Sequence, residues 1–203
     1  MMWWAPHVRL WWIGLLFALG SACFAIGPFP GFVHLVGAQA DAVVFFAGSI
    51  GFTTAAALQC IPLSWAAAVQ LPGTLFFNLS TWDALDQTLS NADENRLVWA
   101  PDVFGSVCFL AASTIAYVPL RHRPGPARRI AVINLAGSVA FGVSAIASYV
   151  VPETGDVLDL AAANVTTVIG AVCFLAGALL LLGGPNGATS PDPDEATAFQ
   201  PVT

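Results

Sequence analysis

The sequence contains no lysine, and few of its residues carry a charge of either sign. Charged residues make up 9% of the 203 positions and hydrophobic residues 57%, whereas a typical soluble domain carries about 25% charged residues. The basic residues are all arginines and form no basic face, which excludes a nucleic-acid-binding protein. Apolar runs of about 20 residues instead indicate helices that cross a lipid bilayer. The composition therefore predicts an all-α, polytopic transmembrane helix bundle in contact with lipid.

Residue patterns that usually carry catalysis are also missing. The sequence shows no Ser-His-Asp order, phosphate-binding loop or nucleotide fingerprint, and its three histidines are scattered. No carboxylate falls near the middle of an apolar run, which argues against a proton-coupled pump. We predict no catalytic residue, no cofactor and no metal site. The cysteines lie in or beside apolar runs without metal-ligand spacing, and we interpret them as small packing residues: Cys23, Cys60, Cys108 and Cys173.

Five apolar runs are readily visible, and a sixth is ambiguous. The ambiguous run, Leu63–Ser80, is short and is interrupted by Pro72, so it either crosses the membrane or re-enters it. We favour six spans over five spans plus a re-entrant segment at 63–80. The transmembrane domain is predicted to cover residues 1–182, followed by a disordered cytoplasmic tail at 183–203 that is rich in Pro, Gly, Asp and Thr. The predicted spans are 10–27, 39–60, 63–80, 99–119, 130–151 and 160–182.

The positions of the arginines predict the orientation in the membrane. Cytoplasmic loops are enriched in arginine, and one connection holds four of them, Arg121, Arg123, Arg128 and Arg129. With six spans, Arg9 also lies on the cytoplasmic side, whereas five spans would move it outside. The first run is expected to be an uncleaved helix and not a signal peptide, because several more apolar segments follow. We therefore expect a multi-pass protein with both termini in the cytoplasm.

A five-residue motif, Gly-[Ser/Thr/Ala]-x-x-Phe, occurs once in every run, including the ambiguous one. Its Gly and Phe share one helix face, and glycine lets a neighbouring helix approach closely, which favours association in lipid. We predict that these residues pack helices together, with the lining of a substrate path as the alternative. The copies leave two symmetries open, three tandem helix pairs or two inverted halves. The motif residues are Gly20, Phe24, Gly48, Phe52, Gly73, Phe77, Gly105, Phe109, Gly137, Phe141, Gly170 and Phe174.

The same stretches resemble a known family. FFAGSIGF at 45–52 and FGSVCFLAAS at 104–113 resemble motifs of YrhK-like bacterial membrane proteins, and GAVCFLAGALLLL at 170–182 has the same style. That family is similar in being a short helix pair with a Gly-Ser-x-x-Phe element, whereas this chain would hold about three pairs. The resemblance implies an integral protein of the bacterial plasma (inner) membrane, and it implies no established chemistry and no functional residue.

Four polar residues near the outer ends of the predicted helices could line a shallow, outward-facing pocket. They are Asp41, Asn78, Asp102 and Asn164. Each also has a structural interpretation. The two aspartates lie at predicted helix starts, where a carboxylate faces the positive end of the helix dipole, and Pro101 is typical of such a start. The two asparagines would bond neighbouring helices.

Two functional hypotheses follow from these observations. The first is a non-catalytic membrane protein that acts through helix packing, either as a homo-oligomer or as an accessory subunit of a membrane protein partner. The alternative is a small-solute transporter or channel that uses the outward-facing polar pocket, with a small-molecule substrate that the sequence does not identify. The hypotheses differ in whether the four polar residues converge on one cavity.

Overall fold

The computed structural model describes residues 5–183 of the chain, so the predicted tail lies outside the described residues except for Gly183. The predicted all-α class is confirmed: apart from one isolated β-bridge between Val150 and Val157, the described part of the chain holds no β-structure. The long helices are α1 (Arg9–Ile26), α3 (Ala38–Gln59), α4 (Trp65–Asp83), α6 (Ala100–Tyr117), α7 (Pro126–Ala147) and α8 (Leu160–Gly183). Shorter elements are α2 (Pro30–Val36), α5 (Asn91–Asp93), a π-helical turn (Glu94–Trp99) and a 3₁₀ turn (Val118–Leu120).

Two element boundaries differ from those expected. The predicted span at 130–151 is a helix that begins earlier, at Pro126, and ends at Ala147. It ends there because residues 148–159 fold into a turn, in which the Val151 amide donates to the Asp156 carbonyl over 2.8 Å. The helix that contains the predicted span at 99–119 also begins earlier, because the backbone is already helical from Asn91 onward.

Five helices among the described residues are long and apolar enough to cross a membrane. They are Arg9–Ile26, Ala38–Gln59, Asn91–Leu120, Pro126–Ala147 and Leu160–Gly183. Helix α4 is not among them, although it has 19 residues and runs without a break past Pro72. Its sequence contains Gln70 and Asn78, which make it less apolar than the other five. The chain is therefore a multi-pass integral membrane protein by the length and composition of these five helices.

The six long helices form a closed ring in chain order. Helix α1 packs against α3, α3 against α4, α4 against α6, α6 against α7, α7 against α8, and α8 returns to α1. The close approach of Gly14 in the first turns of α1 to Leu182 at the end of α8 shows that these two helices are antiparallel. A ring in which neighbours follow one another along the chain corresponds to tandem helix pairs, and not to two inverted halves.

The motif glycines face each other within three helix pairs. A Cβ at Gly20 of α1 would lie 2.8 Å from the Gly48 carbonyl oxygen of α3, and a Cβ at Gly48 would lie 3.0 Å from the ring of Phe24. The other two pairs repeat this reciprocal contact, with Gly73 of α4 against Gly105 of α6 and Gly137 of α7 against Gly170 of α8. Each glycine therefore accommodates the motif phenylalanine of its partner helix.

The six motif phenylalanines meet on the axis of the ring as two stacked triangles. In one triangle, contributed by α1, α4 and α7, the ring centroids of Phe24, Phe77 and Phe141 are 6.2–6.4 Å apart. In the other, contributed by α3, α6 and α8, the centroids are 5.5–6.1 Å apart: Phe52, Phe109 and Phe174. Centroid distances of 5.0–5.6 Å join the triangles within each helix pair. These six residues, the phenylalanine plug, fill the centre of the ring.

The second motif residues of three helices, Ser49, Ser106 and Ser138, contact the neighbouring pair. At the α6–α7 interface the contact is reciprocal: the Ser106 hydroxyl lies 3.4 Å from the Phe141 carbonyl oxygen, and the Ser138 hydroxyl lies 3.2 Å from the Phe109 carbonyl oxygen. At the α3–α4 interface the hydroxyls of Ser49 and Thr81 are 2.9 Å apart. All six second residues are buried: Ser21, Ser49, Thr74, Ser106, Ser138 and Ala171.

Two glycines of α7 provide a matched test of the packing. A Cβ at Gly137 would lie 3.0 Å from both the Gly170 carbonyl oxygen and the Cys173 Cβ, whereas nothing lies within 4 Å of a Cβ at Gly142. We expect Gly137→Ala to lower the stability in detergent by about 1–3 kcal/mol, because the helices must separate. Gly142→Ala should leave it equal or higher, since alanine is the better helix former. Thermal unfolding measures both, and equal melting temperatures would contradict the packing role.

The motif hydroxyls give a second matched pair. The Ser138 hydroxyl contacts the Phe109 carbonyl, the Asn134 carbonyl and the Ser113 hydroxyl. The Ser21 hydroxyl is equally buried and has no hydrogen-bond partner among the described residues. We expect Ser138→Ala to cost about 1 kcal/mol, which is typical of hydrogen bonds between membrane helices, and Ser21→Ala to cost nothing. A larger loss in Ser21→Ala than in Ser138→Ala, measured by thermal unfolding, would show that these hydroxyl contacts contribute no stability.

Candidate functional site

A cavity of about 520 Å³ occupies one end of the helix ring. Its lining comes from the end of α1, the start of α3, the end of α4, the segment 94–106, the end of α7 and the start of α8. Polar lining groups include the hydroxyls of Ser80, Thr81, Ser144 and Thr167. Pockets of this size accommodate small molecules. The ring therefore holds a space at one end that a small solute can fill.

The floor of the cavity is the first triangle of the phenylalanine plug. Phe24, Phe77 and Phe141 line the cavity, whereas the phenylalanines of the second triangle do not. Beyond the floor the axis is filled by Phe52 and Phe109, each at most 2% exposed. The cavity is thus closed toward the opposite end of the ring.

Three of the four predicted pocket residues line this cavity. Asp41 reaches it from the first turns of α3, Asp102 from α6 and Asn164 from α8. Asn78 of α4 does not line it, and its side-chain oxygen is buried without a hydrogen-bond partner among the described residues. The difference arises because Phe77 and Thr81 occupy the side of α4 that faces the axis. Asp41 lies in the first turn of its helix, as expected.

Pro101 and Asp102 lie in the first turn of α6, as the sequence indicated. The residues before this turn are also helical, however: the backbone is helical at Trp99 (φ −66°, ψ −47°) and at Ala100 (φ −63°, ψ −45°). The Ala100 amide bonds to the Asn95 carbonyl, in the π-helical turn that precedes it. Such a wider turn accommodates the ring of a proline that follows, and π-helical turns are frequent at functional sites. Asp102 therefore lies in the first turn of α6, but helical backbone precedes that turn and the Ala100 amide already has a carbonyl partner, so a capping role does not fully account for this carboxylate.

The π-helical turn is fixed in place by contacts with α7 and the turn that follows it. The Asn95 side chain donates to the Val150 carbonyl over 2.6 Å and accepts from the Val150 amide over 3.0 Å. The Trp99 indole donates to the Ala145 carbonyl over 2.8 Å, and its ring meets Tyr149 edge-on. Trp99 also lines the cavity. These contacts hold the wall that carries Asp102.

Charge is separated between the two ends of the ring. All nine carboxylates of the described residues lie at the cavity end: Asp41, Asp83, Asp86, Asp93, Glu94, Asp102, Glu153, Asp156 and Asp159. The other end carries Arg9 and the four arginines of the α6–α7 connection, whereas Arg96, exposed in the π-helical turn, is the one arginine of the described residues at the cavity end. At the cavity mouth, hydrogen bonds from the Thr88 hydroxyl and amide lower the pKa of Asp86, so this carboxylate stays ionised.

The polar groups of the lining differ in how far the protein itself occupies them. Among the described residues no group of three His, Cys, Asp or Glu side chains is arranged to hold a metal ion. The lining hydroxyl of Ser144 pairs with Thr167 at 2.6 Å and contacts the Ala163 carbonyl at 3.0 Å, so it is engaged in holding α7 to α8. Sequence reasoning missed these hydroxyls and Glu94, because threonine and serine are common in membrane helices and only the ring places them around one axis.

The chain was compared with protein-family models, with curated proteins and with solved structures, and none of the three comparisons found a match. The resemblance to YrhK-like membrane proteins stays a prediction from the motifs. The site described above therefore rests on the geometry of this chain alone.

Proposed function

We propose that the chain is a six-span membrane protein in which α4 crosses the bilayer with the five more apolar helices. The support is the position of α4 in the ring between α3 and α6, where Gly73 faces Gly105 as Gly20 faces Gly48. Its polar Gln70 and Asn78 are only partly exposed, whereas Leu75 and Leu79 are exposed on its outer side. Because α4 occupies a full position in the ring, it should cross the membrane at the same depth as the helices packed against it.

The proposed orientation places the cavity on the outer side of the plasma membrane. Arginine-rich connections stay in the cytoplasm, and the α6–α7 connection, at the end opposite the cavity, holds four arginines. Both termini then lie in the cytoplasm, and the cavity with its carboxylates opens outward.

Reporter fusions test this topology. A reporter inserted after Pro62 should lie in the cytoplasm if α4 crosses the membrane, and outside if the region re-enters. Reporters after Arg123 and within the 148–159 turn provide the two controls, because the proposal places them in the cytoplasm and outside, respectively. An external reporter after Pro62 together with a cytoplasmic one after Arg123 would refute the six-span arrangement.

The function that the geometry supports best is the binding of a small solute by a non-catalytic membrane carrier. The observation that carries this proposal is the cavity, because Asp41, Asp102 and Asn164 converge on it from three separate helices. The competing packing function, as an accessory or oligomeric subunit, draws less support. All six motif glycines are occupied by contacts within the chain, so none of them is free to receive a partner helix.

A carrier fits this structure better than an open channel. The phenylalanine plug fills the axis below the cavity, and Phe52 and Phe109 are almost fully buried there. A solute bound in the cavity passes to the other side only if the two phenylalanine triangles separate. Carriers require such a conformational step for each solute, whereas a channel in this state would be closed.

Cysteine labelling tests whether the cavity is a water-filled space open to the outside. In a background without the four native cysteines, Asn164→Cys should react in intact cells with a membrane-impermeant thiol reagent, because Asn164 lines the cavity. Val165→Cys is the matched control: Val165 is 58% exposed on the outer side of the ring, where lipid would cover it. Reaction at both positions would show that the start of α8 is exposed to water and not embedded in lipid. No reaction at Asn164→Cys would refute a cavity that is accessible from outside.

A further inference from the structure

The charged residues that line the cavity are all of one sign, and Arg96, in the same π-helical turn as Glu94, is exposed and not part of the lining. Four carboxylates line it, from Asp41, Asp86, Glu94 and Asp102, and no arginine or histidine is among its lining residues. A concave site with charge of a single sign concentrates ligands of the opposite sign. The lining therefore favours a cationic ligand over a neutral or anionic one.

Of the two deeper carboxylates, neither the Asp41 Oδ1 atom nor the Asp102 side chain has a hydrogen-bonding or ionic partner among the described residues. The Asp41 Oδ1 atom is buried without a hydrogen-bond partner among the described residues. No hydrogen bond or ion pair from another described residue reaches the Asp102 carboxylate. A buried carboxylate without a partner is costly, and ionisable groups of this kind inside membrane proteins commonly serve a ligand. Both acids thus have an unmet requirement for a positive charge or a donor.

The remaining walls distinguish an organic cation from a metal ion. The floor consists of Phe24, Phe77 and Phe141, and Trp99 contributes a further aromatic group. Aromatic faces attract ammonium groups and also cover apolar surface. A metal ion would need several oxygen ligands around one point, and among the described residues no three His, Cys, Asp or Glu side chains are grouped to hold one.

We propose that the cavity binds a small organic cation, whose ammonium group is held by Asp41 and Asp102 and whose apolar part lies on the phenylalanine floor. This inference rests on the proposed solute-binding function. The ammonium supplies the charge that the two carboxylates lack, and the floor removes the apolar part of the molecule from water. The carboxylates at the mouth, Asp86 and Glu94, attract the cation before it enters.

The charge preference of the cavity can be measured with two thiol reagents of opposite charge. Purified, cysteine-replaced protein carrying Asn164→Cys is labelled with a trimethylammonium-ethyl and with a sulfonato-ethyl methanethiosulfonate. Thr154→Cys, in the exposed turn at the same end of the ring, is the reference. The ratio of cationic to anionic labelling rates should be about tenfold or more above that of the reference. This ratio of labelling rates should fall toward the value of Thr154→Cys when Asp102→Asn or Asp41→Asn is added to Asn164→Cys.

Binding of an apolar cation is then measured as protection of Asn164→Cys from labelling. Benzyltrimethylammonium should slow the reaction at millimolar concentration, whereas benzyl alcohol and benzoate should not. Asp102→Asn should abolish the protection, and Asp41→Asn serves in its place if gel filtration shows that Asp102→Asn is misfolded. Protection by calcium chloride alone, or equal protection by benzyl alcohol, would overturn the proposal.

Failure of the two proposals can be distinguished. If Asn164→Cys reacts with neither reagent, the cavity is not accessible, and the solute-binding function fails together with the cation. If Asn164→Cys reacts readily but shows the reference ratio and no protection, the cavity exists and only its preference for an organic cation is refuted.

Discussion

The reciprocal approach of glycine and phenylalanine in three helix pairs is the contact on which the rest of this structure depends. In lipid, burying apolar surface does not drive helices together, so association relies on close packing and hydrogen bonds. Gly20 and Gly48 let their backbones approach, and each receives the phenylalanine of the other helix. The same contact joins α4 to α6 and α7 to α8. Hydroxyls such as those of Ser106 and Ser138 then connect one pair to the next, and the packing of α8 against α1 closes the ring.

The phenylalanine plug follows from these contacts and determines where a site can exist. Because each motif phenylalanine is directed over a partner glycine toward the axis, all six meet in the centre and fill it. Space is left at the end of the ring beyond Phe24, where α3, α6 and α8 contribute Asp41, Asp102 and Asn164. The same arrangement therefore explains both features. The motif phenylalanines fill the centre of the ring, and the cavity lies directly beyond the triangle of Phe24, Phe77 and Phe141.

Much of the helical architecture was predictable, and the site was predictable only in part. Hydropathy located the apolar helices because a membrane requires apolar side chains along their whole length. The rule that proline is typical of a helix start placed Pro101 correctly in the first turn of α6. It could not show that the π-helical turn at Glu94–Trp99 continues the helical backbone before that turn. Asn78 was grouped with the cavity residues by its depth, yet it lies outside the lining. The sequence predicts how far along a helix a residue lies, but it does not predict which face of that helix points toward the centre of the ring.

The sequence by itself determined the all-α class, the apolar helices, the motif that recurs in each of them and the separation of all arginines except Arg96 from the carboxylates. These are local properties, set by side-chain chemistry and by spacing along one helix. Only the tertiary structure decided which helices pair, that six phenylalanines share one axis, and that Asp102 lies in a cavity wall. The physical reason is that these facts depend on contacts between residues far apart in the chain, such as Ser106 with Phe141. The sequence of one helix alone does not determine which of its faces will contact another helix.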